Sequence, residues 1–157
     1  RSRKMSSKIE KLEADVEINV SPVKFHEYFT RRPHHISNVS PGKIQGCDLH
    51  DGDWGTVGSV IYWNYVHDGK AKVAKQLIEA IDDETNSITL KVIEGDVLEE
   101  YKSFKGIIQA SPKGEGSIVH WTLEYEKLHN QISDPQTLLQ FLAELSQDIG
   151  GHLVTQA

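Results

Sequence analysis

A chain of 157 residues, 38% hydrophobic and 25% charged, has the size and make-up of one soluble domain around one core. Its formal charge of −6 at pH 7, without a Lys/Arg cluster, is poorly suited to the phosphate contacts that dominate nucleic-acid affinity. The single cysteine, Cys47, excludes an intrachain disulfide, and no apolar run approaches the ~20 residues of a membrane span.

Arg1-Ser2-Arg3-Lys4 precedes Met5-Ser6-Ser7, so residues 1–5 read as an expression remnant with an initiator Met, and 6–157 as the domain. No signal-peptide apolar region is visible, which makes a cytoplasmic location the default expectation.

From Leu12 to Val20, Leu12, Ala14, Val16, Ile18 and Val20 alternate with Glu13, Asp15, Glu17 and Asn19, the period of a strand with one wet face. Ser21-Pro22 supplies an N-cap and a first-turn proline, and Phe25, Tyr28 and Phe29 then fall at helical spacing. A second short helix is expected through Pro33-His34-His35-Ile36, before Ser40-Pro41-Gly42 breaks the chain.

Between Lys43 and Lys127 turn signals recur every ten or so residues. The runs Ser59 to Val66, Val73 to Ile81, Ser87 to Glu94, Lys102 to Ser111 and Ser117 to Glu126 read as strands of an antiparallel meander. Ser133-Asp134-Pro135 offers another cap, followed by the stripe Leu138, Leu142, Leu145 and Ile149, widened by Leu139 and Phe141. This long C-terminal helix is expected to bend or fray at Gly150-Gly151. The class is α+β, with a curved sheet and one long helix enclosing the interior.

Several chemical readings fail on spacing. His34-His35 and Cys47-Asp48-Leu49-His50 lack the paired ligands of a structural zinc site, so no metal is expected. No Gly-x-Ser-x-Gly elbow accompanies the histidines and serines. Asp82-Asp83-Glu84 and Glu99-Glu100 read as solvated charge, and Trp54, Trp63 and Trp121 are too scattered for a base-stacking platform. The loop from Asp51 to Gly58 has no Gly-Lys-Ser/Thr and reads as a turn rather than a phosphate loop.

The stretch from Lys43-Ile44-Gln45-Gly46-Cys47-Asp48-Leu49-His50-Asp51-Gly52-Asp53-Trp54-Gly55 into Gly58-Ser59-Val60-Ile61-Tyr62-Trp63-Asn64-Tyr65 resembles the major latex protein family of plants. Val92-Ile93-Glu94-Gly95-Asp96 and Tyr125-Glu126-Lys127 extend the likeness. That family is part of the birch-pollen-allergen-like group of pathogenesis-related proteins. The resemblance implies a helix-grip fold: seven antiparallel strands wrapped around a long C-terminal helix, two short helices between the first and second strands, and a large hydrophobic cavity. It further implies binding of a lipid, steroid, hormone or other apolar metabolite in plant defence or stress. No cofactor is expected and, with no long apolar run, no stable membrane insertion.

In Ser87 to Glu94 the residues themselves give the inward face, since Ile88, Leu90 and Val92 oppose Thr89 and Lys91. For the other strands the resemblance supplies the parity: Ile61, Trp63 and Tyr65; Val73, Lys75 and Leu77; Phe104 and Ile108; Ile118, His120 and Thr122. Phe29, Leu138, Leu142 and Leu145 would close the space from the helices. The expected ligand-binding set is therefore Phe29, Ile61, Trp63, Tyr65, Lys75, Leu77, Ile88, Leu90, Phe104, His120, Thr122, Leu138 and Leu142. The competing reading of each aliphatic member is plain core packing. Inward Lys75 and His120 would need a partner, water or a ligand group. Relatives with this fold that resemble norcoclaurine synthase place an acid/base lysine on the last strand, where His120 stands here, so a cavity enzyme is the alternative function.

Overall fold

The computed structural model describes residues 8–156. The segment 1–5 read as an expression remnant lies outside the described residues. Strand β1 (Glu10–Ile18) leads into helix α1 (Pro22–Arg31), a 3-10 turn (Pro33–His35) and the single-turn helix α2 (Ile36–Val39). Six strands follow: β2 (Ile44–Asp51), β3 (Val60–His67), β4 (Lys70–Asp82), β5 (Ser87–Gly95), β6 (Tyr101–Lys113) and β7 (Gly116–Lys127). A 3-10 turn, Asp96–Glu99, separates β5 from β6, and helix α3 (Gln136–Val154) is the last element among the described residues.

All seven strands pair antiparallel in one sheet ordered β1-β7-β6-β5-β4-β3-β2, the helix-grip architecture that the resemblance implies. Its inner face holds the core, including Val16, Ile61, Ile78, Ile88, Ile108 and Val119, with Ile149 of α3 packed against it. Beyond the Lys91–Lys105 pair β5 and β6 no longer match residue for residue, and the Asp96–Glu99 turn occupies the gap. Among the described residues no helix is long and apolar enough to cross a membrane.

The local signals act largely as read. Ser21 Oγ accepts from the Lys24 N–H at 3.2 Å, satisfying one orphan donor of α1, whose Phe25 and Phe29 are buried. At α3 the outcome differs, because Pro135 takes the cap position and neither Ser133 nor Asp134 caps the helix with its side chain. The Asp134 carboxylate instead accepts from the Tyr125 hydroxyl at 3.0 Å and pairs with Lys127 at 2.9 Å, while Tyr101 donates to the Ser133 carbonyl at 2.5 Å. These bonds tie the loop before α3 to β6 and β7, fixing where the helix starts.

The helix also runs unbroken through Gly150-Gly151. Gly150 is there for contact, since a Cβ at that position would stand 2.9 Å from the Ile18 side chain on β1. At Gly151 nothing lies within 4 Å. Gly150→Ala should therefore lose about 1–3 kcal/mol to overpacking, more than the helix-propensity gain. Gly151→Ala should gain about 0.5–1 kcal/mol. Urea denaturation of the two variants checks the opposite signs.

Candidate functional site

Strand pleat sends alternate side chains to the inner face, and over the middle of the sheet that face is mostly aromatic and aliphatic. Trp63 and Tyr65 come from β3, Ala74 and Gln76 from β4, Leu90 and Val92 from β5, Phe104 and Gly106 from β6, and Trp121 and Leu123 from β7. Leu138, Phe141, Leu142 and Leu145 of α3 cover them, with Phe29, Ile44 and Val97 at the sides. Together they enclose a cavity of about 90 Å³. That is smaller than the ~300–1,000 Å³ of sites that bury drug-sized molecules. The expected cavity is present in place and character, but large rings occupy much of its space. Phe29 alone meets Trp63 at 6.3 Å and Trp121 edge-on at 6.0 Å.

None of these lining residues is acidic or basic, and most of their polar atoms are already bonded within the protein. Trp63 Nε1 donates to Gln76 Oε1 at 2.7 Å. Trp121 Nε1 donates to Ser146 Oγ at 2.7 Å, and that hydroxyl donates in turn to the Leu142 carbonyl. Burial, assisted by the Asp96 charge, pushes the Tyr65 hydroxyl up to about 12, so it remains a neutral donor. Val97, Leu138 and Leu142 are only partly buried, which places the solvent side of the cavity along the first half of α3. There Phe141 packs against Tyr65 at 5.9 Å and His67 at 5.7 Å.

Of the sequence-derived set, the structure gathers Phe29, Trp63, Tyr65, Leu90, Phe104, Leu138 and Leu142 around the cavity. Ile61 and Ile88 share the inner face with their neighbours but lie away from the cavity, packed into the core at 2% and 3% exposure. Lys75, Leu77, His120 and Thr122 are corrected, since they sit on the outer face of the sheet, as do Val73 and Ile118. On β7 the buried parity is Val119, Trp121, Leu123 and Tyr125. On β4 the inward residues are Ala74, Gln76 and Ile78, until an extra residue at Glu79 rephases the strand and turns Ile81 inward.

Lys75 pairs across the outer face with Glu94 at 3.3 Å. His120 is clamped between two β1 carboxylates, Nδ1 to Asp15 at 2.5 Å and Nε2 to Glu13 at 2.7 Å. The hydrogen bond to Asp15 is the main cause of its raised pKa. A histidine whose folded pKa exceeds the unfolded 6.5 contributes stability fully below 6.5 and loses it as pH rises through the folded value. The stability difference between wild type and His120→Gln should therefore be largest near pH 6 and shrink above the folded pKa. A gap independent of pH across that window would contradict the clamp.

The Asp51–Gly58 loop is tied to the α1–α2 connection, with the Trp54 ring stacked on His34 at 4.1 Å. Cavity residues missed by the sequence reading include Gly106, Trp121 and Leu123, which the alternation of β6 and β7 could have supplied. Val97 comes from a 3-10 turn, where no periodicity announces it.

The pathogenesis-related protein Bet v 1 family matches residues 7–156 of the chain. MLP-like protein 28 of Arabidopsis thaliana is 60% identical over 96% of this chain, which spans 46% of that relative's length, about half of it. The crystal structure of ginseng major latex-like protein 151 from Panax ginseng superposes with a TM-score of 0.89 at 46% identity, covering 92% of this chain and 97% of that one. Truncated norcoclaurine synthase from Thalictrum flavum reaches a TM-score of 0.69 at 18% identity, covering 92% of this chain and 96% of that one, a likeness of fold alone.

Proposed function

Since the chain belongs to the pathogenesis-related protein Bet v 1 family, we propose that it is a non-catalytic carrier that shelters a hydrophobic small molecule between the sheet and α3. A lipid, a steroid, a hormone or another plant secondary metabolite fits this reading, with a defence or stress setting and a cytoplasmic location. The observation that carries it is the cavity itself, walled by apolar side chains whose indole N–H groups are already satisfied within the protein. Such a wall rewards apolar area at roughly 25 cal/mol per Å² and offers few groups to anything charged. A ligand larger than the present space enters by displacing the partly exposed Leu138 and Leu142 of α3.

The enzyme alternative rested on His120 as an acid/base group inside the cavity. That imidazole lies on the opposite face of the sheet, which removes the only residue offered for the chemistry. Native mass spectrometry of the protein after exposure to a plant metabolite extract tests the carrier reading. The expected result is one apolar molecule retained unchanged, whereas a metabolite consumed on incubation would overturn it.

A further inference from the structure

The solvent end of the cavity differs from its middle. Tyr65 and His67 stand two residues apart on the inner face of β3, and both rings pack on Phe141 of α3. Trp63, Tyr101 and Tyr125 bond Gln76, Ser133 and Asp134, whereas the Tyr65 hydroxyl has no hydrogen-bond partner among the described residues. His67 Nε2 is buried and likewise without a hydrogen bond, Asp68 Oδ1 standing 3.6 Å away. Buried polar atoms are ordinarily paired, so the unpaired His67 Nε2 calls for a polar ligand atom or solvent, and the Tyr65 hydroxyl, packed on the same Phe141 ring at the edge of the cavity, is free to donate to one.

The charges nearby narrow the choice. Asp96 is fixed at the start of the 3-10 turn by the Val73 N–H at 2.7 Å, and its charge reaches the Tyr65 hydroxyl. Asp68 flanks His67 and accepts from Thr137 Oγ1 of α3 at 3.4 Å. Lys72 is the cross-strand partner of Tyr65, so this lysine and the two carboxylates, Asp96 and Asp68, flank the subsite and leave it net negative. A carboxylate placed here would be stripped of water and set against negative charge. An uncharged oxygen would gain a donor without that penalty.

We propose that Tyr65 and His67 form a hydrogen-bonding subsite for an uncharged oxygen, hydroxyl or carbonyl, at one end of an otherwise apolar ligand, and that Asp96 and Asp68 disfavour a carboxylate on the same skeleton. Tyr65 donates to the ligand oxygen, and His67 Nε2 donates or accepts according to its tautomer. The subsite rests on the carrier reading and specifies its ligand class.

Calorimetric titration at pH 7 with 1-decanol and decanoate tests it, since the two share a chain and differ at the head. Wild type should prefer decanol. Tyr65→Phe should weaken decanol about three- to tenfold, the worth of one net hydrogen bond, and leave decanoate nearly unchanged. Asp96→Asn, whose side-chain oxygen can still accept from Val73, should tighten decanoate about three- to tenfold and leave decanol unchanged. Decanoate binding as tightly as decanol to wild type, or a decanol/decanoate ratio unmoved in either variant, overturns the subsite while the carrier stands. If neither molecule binds, the carrier reading falls and the subsite with it.

Discussion

Trp121→Ala should lower the free energy of unfolding by about 3–5 kcal/mol, the cost typical of deleting a buried aromatic ring. Trp121 is 3% exposed, packs edge-on to Phe29 and donates to Ser146 in α3, so the indole joins β7 to both α1 and α3. Its loss leaves a hole where three elements meet and removes a buried bond. Trp121→Phe keeps most of the ring, so its loss should come closer to the ~1 kcal/mol of one buried hydrogen bond. Since small domains have only about 5–15 kcal/mol in total, the alanine variant should show a clear fall in urea midpoint. A change below 1 kcal/mol would mean that the sheet and α3 are joined elsewhere.

Gly106→Val should act in the opposite sense, sparing the fold and blocking the cavity. A Cβ at Gly106 would lie 3.8 Å from Trp121 and 3.9 Å from Leu123, ordinary contact distances, so the first carbon is accommodated. The valine methyls then take up space that a ligand would fill. Excluding about two buried methylenes, at ~0.8 kcal/mol each, weakens any apolar ligand roughly tenfold. Stability should hold or rise, because a β-branched residue suits a strand better than glycine does. Titration with 1-decanol beside urea denaturation separates the two effects, and unchanged affinity would place the ligand elsewhere.

How much of this was legible in the sequence depends on the strand. In β5 the alternation of Ile88, Leu90 and Val92 with Thr89 and Lys91 gave the inner face directly. In β7 it is equally plain, Val119, Trp121, Leu123 and Tyr125 against His120, Thr122, Glu124 and Glu126, and the parity implied by the family resemblance is the opposite one. In β4 no alternation could have served. Val73, Leu77 and Ile81 share a parity on paper, but the extra residue at Glu79 turns only Ile81 inward.

Parity also assigns a face and not a position along it, which is why Ile61 and Ile88 are inward yet away from the cavity. Phe141 was visible as part of the helical stripe, but its place over Tyr65 and His67 depends on where α3 starts. That is set by Asp134 and Ser133 bonding to β6 and β7 rather than capping the helix. Such long-range polar ties leave no local pattern to read.

If the protein carries an apolar molecule, that molecule lodges between the sheet and α3. Intermolecular nuclear Overhauser effects between 1-decanol and methyl-labelled protein test it most directly. The expected contacts are to Leu90 and Leu123 on the sheet and to Leu138 and Leu142 on α3. Contacts confined to outer-face residues such as Leu77 and Ile118 would contradict it.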